Sequence, residues 1–345
     1  MISALAAAVV IIAIITTRLL QPSAGGSGTV ETKEDKAWQP LPPKDAPKKG
    51  TRLNPEEAGY STDGQVYKSL YTLWQAEQHS MEEWYDRSVA WWDKQDPTND
   101  GVMLGSGHLH DADIRESRAL LEKTYSWWEA GKLAEHGHTW AALDAGAGIG
   151  RVTKALLLHL FGRVDLVEPS AAMMAQAQAD LGSSAHWPGT PEGHKVEELM
   201  QMGLQEALFQ PFRYHVVWVQ ECLMYLSDED VVKFFVKARM GLEHNGVFFV
   251  KERVAARGFQ VDRGQARVTR SRHLLERLFG TAELMVLDHA AAAAVPRGAH
   301  GVHMWTLTRA PPKSNPRQQE FDAAYAAGRV RKPEPSEQDL GWLPE

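Results

Sequence analysis

The chain has 345 residues, 43% hydrophobic and 23% charged, with a formal net charge of −7. That apolar share excludes wholesale disorder, and the negative balance gives no support to a general nucleic-acid binder held by phosphate contacts. One cysteine, Cys222, excludes an internal disulfide framework and a Cys-rich zinc module; 14 histidines form no HExxH motif, so no metal site is expected.

In chain order, residues 2–15 are uninterrupted Ala, Val, Ile, Leu and Ser, and the run continues past Arg18 to Leu20. A helix rising about 1.5 Å per residue over that stretch is roughly long enough for a hydrocarbon core of about 30 Å. Arg18 follows the apolar run and no basic side chain precedes it. By the positive-inside tendency residues 1–20 read as a transmembrane anchor that leaves the rest cytosolic. The alternative is a processed N-terminus, with a cytoplasmic or secretory-pathway location. Residues 21–65 read as a disordered linker, with Gly25-Gly26-Ser27-Gly28 and then Pro40, Pro42, Pro43 and Pro47 among charges; residues 311–345 read as a polar tail.

The folded part is then residues 66–310. Over 66–130 a helical lid is expected, with Tyr71, Trp74, Trp84, Tyr85, Trp91 and Trp92 as an aromatic stripe and a later helix through Leu120, Leu121 and Trp128. Over 131–310 strand patterns at 140–144, 164–168, 196–202, 214–219, 246–252, 284–288 and 303–308 are interleaved with helix patterns at 152–161, 170–181, 228–242 and 271–279. This alternation predicts an α/β core with a mainly parallel sheet covered on both faces.

Gly146-Ala147-Gly148-Ile149-Gly150 joins the strand ending at Asp144 to the next helix. Glycines there let a ligand lie against the main chain at a helix N-terminus, in the crevice at the carboxyl ends of the strands. Glu168 ends the following strand, where an acid accepts hydrogen bonds from both hydroxyls of a ribose. A dinucleotide fingerprint needs GxGxxG, but Arg151 occupies the third glycine's place, which disfavours nicotinamide and flavin.

The run LDAGAGIGRVTK at 143–154 continues in Leu156-Leu157-Leu158, Val164–Glu168, Gly203-Leu204-Gln205-Glu206, Val217-Trp218-Val219-Gln220 and Asn245-Gly246. Upstream stand Trp91-Trp92, Asp100-Gly101, Gly105-Ser106-Gly107-His108, Asp113-Ile114 and Ser117-Arg118. Together these motifs closely resemble the alpha-N-terminal protein methyltransferase family, which modifies the α-amino group of proteins beginning Xaa-Pro-Lys. The resemblance implies a Rossmann-like class I methyltransferase with a seven-strand sheet, S-adenosylmethionine as cofactor and a protein N-terminal peptide as partner. Carried over position by position, it assigns Gly146, Gly148 and Arg151 to the methionyl end of the cofactor. Glu168, Pro169 and Ser170 take the ribose and adenine side, Leu204 and Gln205 the adenine edge, and Gln220 the floor beneath the methionyl group. Arg151 suits a carboxylate through its bidentate fork.

The acceptor side departs from the family. The Asp-Asn pair expected after Lys251 reads Glu252-Arg253, and the Trp expected after the glutamine is Glu221. Of the two bases the family implies, a His falls on Tyr225 and an acid on Gln265, while the accompanying acid is kept as Asp262. Asp262, Tyr225 and Glu221 are therefore the candidate catalytic residues, and Trp92, Asp262 and Arg253 the candidate substrate contacts. Two other readings stand beside this one: methyl transfer to a different amine or small molecule, and a cofactor-binding scaffold with weakened turnover.

Overall fold

A computed structural model describes residues 53–128, 132–182, 187–295 and 301–310. The expected anchor at 1–20, most of the expected linker and the tail lie outside the described residues. Among the described residues no helix is long and apolar enough to cross a membrane.

The strands in chain order are β1 (Gly59–Ser61), β2 (Val66–Tyr67), β3 (Ala141–Ala145), β4 (Arg163–Val167), β5 (Lys195–Met200), β6 (Tyr214–Gln220), β7 (Leu242–Val254), β8 (Phe259–Asp262), β9 (Arg267–Arg270), β10 (Leu284–Ala291) and β11 (Gly301–Arg309). The main sheet has seven strands in the order β10-β11-β7-β6-β3-β4-β5. From β5 to β7 all neighbours are parallel, but β11 runs antiparallel to both β7 and β10. The sheet is mixed: the mainly parallel expectation holds from β5 to β7 and is corrected at β11, which runs against both its neighbours. The cause is local. Residues 292–300 are too few for the crossover of about a dozen residues that returns a parallel strand, so β10 turns back directly into β11.

The central strands are largely apolar and buried, as strands covered on both faces must be: β3 is buried throughout, and β6 is buried except at the half-buried His215 and Gln220. Trp218 on β6 stacks on Phe249 on β7, with ring centroids 3.8 Å apart. Serine caps start the helices that cover the sheet: Ser170 Oγ accepts from Met173 N at the helix Ala171–Leu181, and Ser227 Oγ accepts from Asp230 N at Asp228–Gly241. The lid is built from the helices Leu70–Glu77, Met81–Trp92 and His110–Trp128.

A second, smaller sheet, β2-β1-β8-β9, was not expected. Its first strand falls within the stretch read as linker, yet β1 pairs parallel with β8 from far along the chain. Gly59 is required there: a Cβ would lie 2.5 Å from the Phe259 carbonyl oxygen. Tyr67, Leu70, Trp84, Phe259, Val261 and Val268 form the buried cluster that joins this sheet to the lid.

Candidate active site

The carboxyl ends of β3, β4 and β6 open into a cavity roofed by residues of the lid helices. Gly146, Gly148, Arg151, Glu168, Pro169, Ser170, Leu204, Gln205 and Gln220 all line it, so the structure brings the nine expected donor-side residues together. Gly146 and Gly148 have φ of 72° and 56°. A Cβ on Gly146 would lie 2.5 Å from the Cys222 Cβ, whereas one on Gly148 would meet nothing nearer than Val102 Cγ1 at 3.8 Å. The main chain at Gly148 therefore lines the cavity with only an ordinary contact to Val102. Glu168 bridges the two loops: its Oε2 accepts from Gly148 N at 2.9 Å and its Oε1 from Ser170 N at 2.8 Å. Burial pushes its carboxyl up to about 7, against the pull of those two N–H groups. Asp144 accepts from the Thr153 hydroxyl at 2.6 Å, and burial pushes it up to about 6.

Arg151 is buried and pairs with Asp113 at 2.8 Å, with His110 Nδ1 at 3.1 Å. Gln220 is oriented from both sides: its Oε1 accepts from Trp218 Nε1 at 3.1 Å, and its Nε2 donates to Asp113 at 3.2 Å. The lid is tied down beside this end, where Asp93 Oδ1 accepts from the Ser170 hydroxyl at 2.6 Å.

At the other end stand Trp92, Glu221, Tyr225, Arg253 and Arg267. Glu221 has a positive φ of 51°, a strained conformation for a non-glycine residue, and its carboxylate accepts from Arg253 Nε at 2.7 Å. The Arg253 guanidinium, which stands where the family has an Asn, is thus already paired. Burial outweighs the nearby Arg267 and pushes the Tyr225 hydroxyl well above its ordinary value. The rings of Trp92 and Tyr225 meet edge-on at 6.1 Å.

Asp262 does not join them. It ends β8, accepts from Gln265 N at 3.1 Å and sits 3.6 Å from Arg267 across the hairpin, outside the cavity lining. Gln265 is likewise outside it. The loop 222–226 is held by two side chains that carry no signal in the sequence, Glu252 and Arg270. Glu252 Oε1 accepts from Cys222 N at 2.8 Å and Leu223 N at 2.7 Å, with burial pushing that carboxyl up to about 8. Arg270, from the small sheet, donates to the carbonyls of Leu223 and Leu226 and doubly to Asp228. Nothing in the sequence of so short a strand signals that role. Among the described residues, no cluster of three or more His, Cys, Asp or Glu side chains is placed to hold a metal ion.

A family model described as AdoMet dependent proline di-methyltransferase matches residues 80–308. An Arabidopsis thaliana protein named alpha N-terminal protein methyltransferase 1 is 34% identical over 261 residues, 74% of this chain and 92% of its own. A Rattus norvegicus protein named N-terminal Xaa-Pro-Lys N-methyltransferase 1 is 31% identical over 65% of this chain and 95% of its own. Among solved structures, a Leishmania major SAM-dependent methyltransferase superposes with a TM-score of 0.63 at 31% identity, covering 77% of this chain and 100% of that one. Haemonchus contortus phosphoethanolamine N-methyltransferase 1, at 18% identity and TM-score 0.51 over 73% of this chain and 56% of that one, shares the fold.

Proposed function

The chain belongs to the AdoMet-dependent proline di-methyltransferase family, and from that premise we propose that it transfers methyl groups from S-adenosylmethionine to the α-amino group of protein N-termini of the Xaa-Pro-Lys type. The observation that carries this reading is one cavity that joins a glycine-and-acid donor end to an acceptor end walled by Trp92 and Tyr225. The residues present fit the donor: main chain lines the cavity at Gly148, a carboxylate stands at Glu168 where a ribose needs one, and a buried guanidinium stands at Arg151.

When bound, the donor supplies a methyl group on a sulfonium. Glu168 would accept from the ribose hydroxyls, Arg151 would pair with the carboxylate, and Leu204 and Gln205 would bound the adenine edge. Gln220, fixed by Trp218 and Asp113, forms the floor. Val102, Met103 and Leu109 from the lid exclude water, which strengthens these polar contacts. On the acceptor side an α-amine has an ordinary pKa of about 7.7–8.0, so it needs only a nearby group to take its proton. Glu221 holds the amine and receives that proton, while Arg253 keeps its carboxylate in place. Tyr225, with its hydroxyl pKa raised by burial, acts by hydrogen bonding and packing, not as a base near neutrality.

The test is mass spectrometry of a Pro-Lys-starting peptide after incubation with enzyme and donor. Methylation of its first residue is the expected result, with Glu221→Gln slower by about 100-fold, the scale of one general base. Transfer confined to non-peptide amines, or none to any amine, overturns the reading; an unslowed Glu221→Gln removes that residue from the chemistry.

A further inference from the structure

The donor end contains a charge cluster in which the roles above give Arg151 a ligand and Asp113 none. Asp113, in the first turn of the lid helix His110–Trp128, is 5% exposed and lines the cavity. Its Oδ2 lies 2.8 Å from Arg151 Nη1 and its Oδ1 2.7 Å from Lys251 Nζ, and Gln220 Nε2 donates to both oxygens at 3.2 Å. Lys251 on β7 is held again by Glu116 at 2.9 Å and by the Ser117 hydroxyl at 3.1 Å. Two cations and two carboxylates balance. Lys251 and Glu116 lie outside the cavity lining, so the cluster presents to the cavity one guanidinium and one carboxylate side by side.

We infer that Asp113 receives the α-ammonium group of the donor's amino-acid end, beside Arg151 receiving its α-carboxylate, an assignment that rests on the donor reading above. The chemistry of that end is zwitterionic, and the Arg151–Asp113 pair is its complement. In the free protein each satisfies the other. With the donor present the two exchange one mutual contact for two charge-assisted hydrogen bonds, and the net charge of the buried cluster does not change. Lys251 keeps Oδ1 in place while Oδ2 changes partner. Asp113 is also suited by its ionisation: burial raises Asp144 and Glu168, but Arg151 and Lys251 outweigh burial at Asp113 and hold it below the ordinary carboxylate range. Because Asp113 belongs to the lid, this contact ties the lid helix to the occupied site.

Calorimetry on the full chain tests the assignment with S-adenosylhomocysteine, its analogue lacking the α-amino group, and 5′-methylthioadenosine, which lacks the whole amino-acid end. Asp113→Asn is expected to weaken S-adenosylhomocysteine by about 10- to 100-fold, the scale of one charged hydrogen bond, and to leave the other two probes unchanged. Asp113→Glu should recover part of the loss. Equal weakening of all three probes shows a scaffold effect and overturns the inference, as does unchanged S-adenosylhomocysteine binding by Asp113→Asn. A wild-type chain that binds none of the probes defeats the donor reading itself, and this assignment with it.

Discussion

At the scale of single residues, Glu168 is caught between two demands. It accepts from two backbone N–H groups, which favour the anion, yet it is buried deeply enough that its carboxyl rises from about 4.5 to about 7. Ribose hydroxyls donate best to the ionised form, so donor affinity should climb as pH rises through about 7 and level off above it. The free protein responds in the opposite sense. A raised folded-state pKa means that the contribution of Glu168 to stability is fullest below about 4.5 and is lost as pH climbs toward about 7. Calorimetry of S-adenosylhomocysteine across that range measures the first effect. Glu168→Gln should bind about 10- to 100-fold more weakly with that contribution to the pH dependence gone; an unchanged slope would assign the titration elsewhere, with Asp144 the next group in line.

At the scale of elements, the loop 222–226 is held by three structures at once. Glu252 from β7 accepts from its first amides, Arg270 from β9 donates to its carbonyls, and Trp84 from the lid donates to the Tyr225 carbonyl at 3.0 Å. Such over-determination is what keeps Glu221, one residue upstream, in its left-handed conformation. Arg270 is fully buried, so Arg270→Met leaves Asp228 without its partner and should cost about 3–5 kcal/mol of folding stability, seen as a lower denaturant midpoint. A midpoint within error of wild type would mean that the small sheet does not support the acceptor end.

At the scale of the whole molecule, the small sheet makes the N-terminal limit of the fold a physical question. β1 lies parallel to β8, and Glu57 pairs with Arg277 at 2.6 Å, so residues 53–65 belong to the folded body. A chain beginning at residue 66 exposes the β8 edge and opens the cluster around Phe259, whereas one beginning at residue 53 keeps both. The shorter chain should melt lower by several degrees at equal pH and salt, since a loss of about 1 kcal/mol moves a domain of this size by roughly 2–4 °C. Equal melting temperatures would show that β1 adds nothing to stability.

Much of this protein is set by local pattern. Strand-forming runs and the glycine loop each need only a few consecutive residues, so most of the order of elements and the places of Gly146, Gly148 and Glu168 are legible before any folding is considered, while Leu204, Gln205 and Gln220 rest on the family resemblance. Contacts between distant segments are not. Residues 59–61 look like linker because three residues carry no periodicity, and only Phe259, far along the chain, makes Gly59 part of a sheet. The displacement of Asp262 to a hairpin and the meeting of Asp113 with Arg151 and Lys251 have the same origin. Charge pairing and the pairing of short strands depend on which surfaces meet in three dimensions, and packing alone decides that.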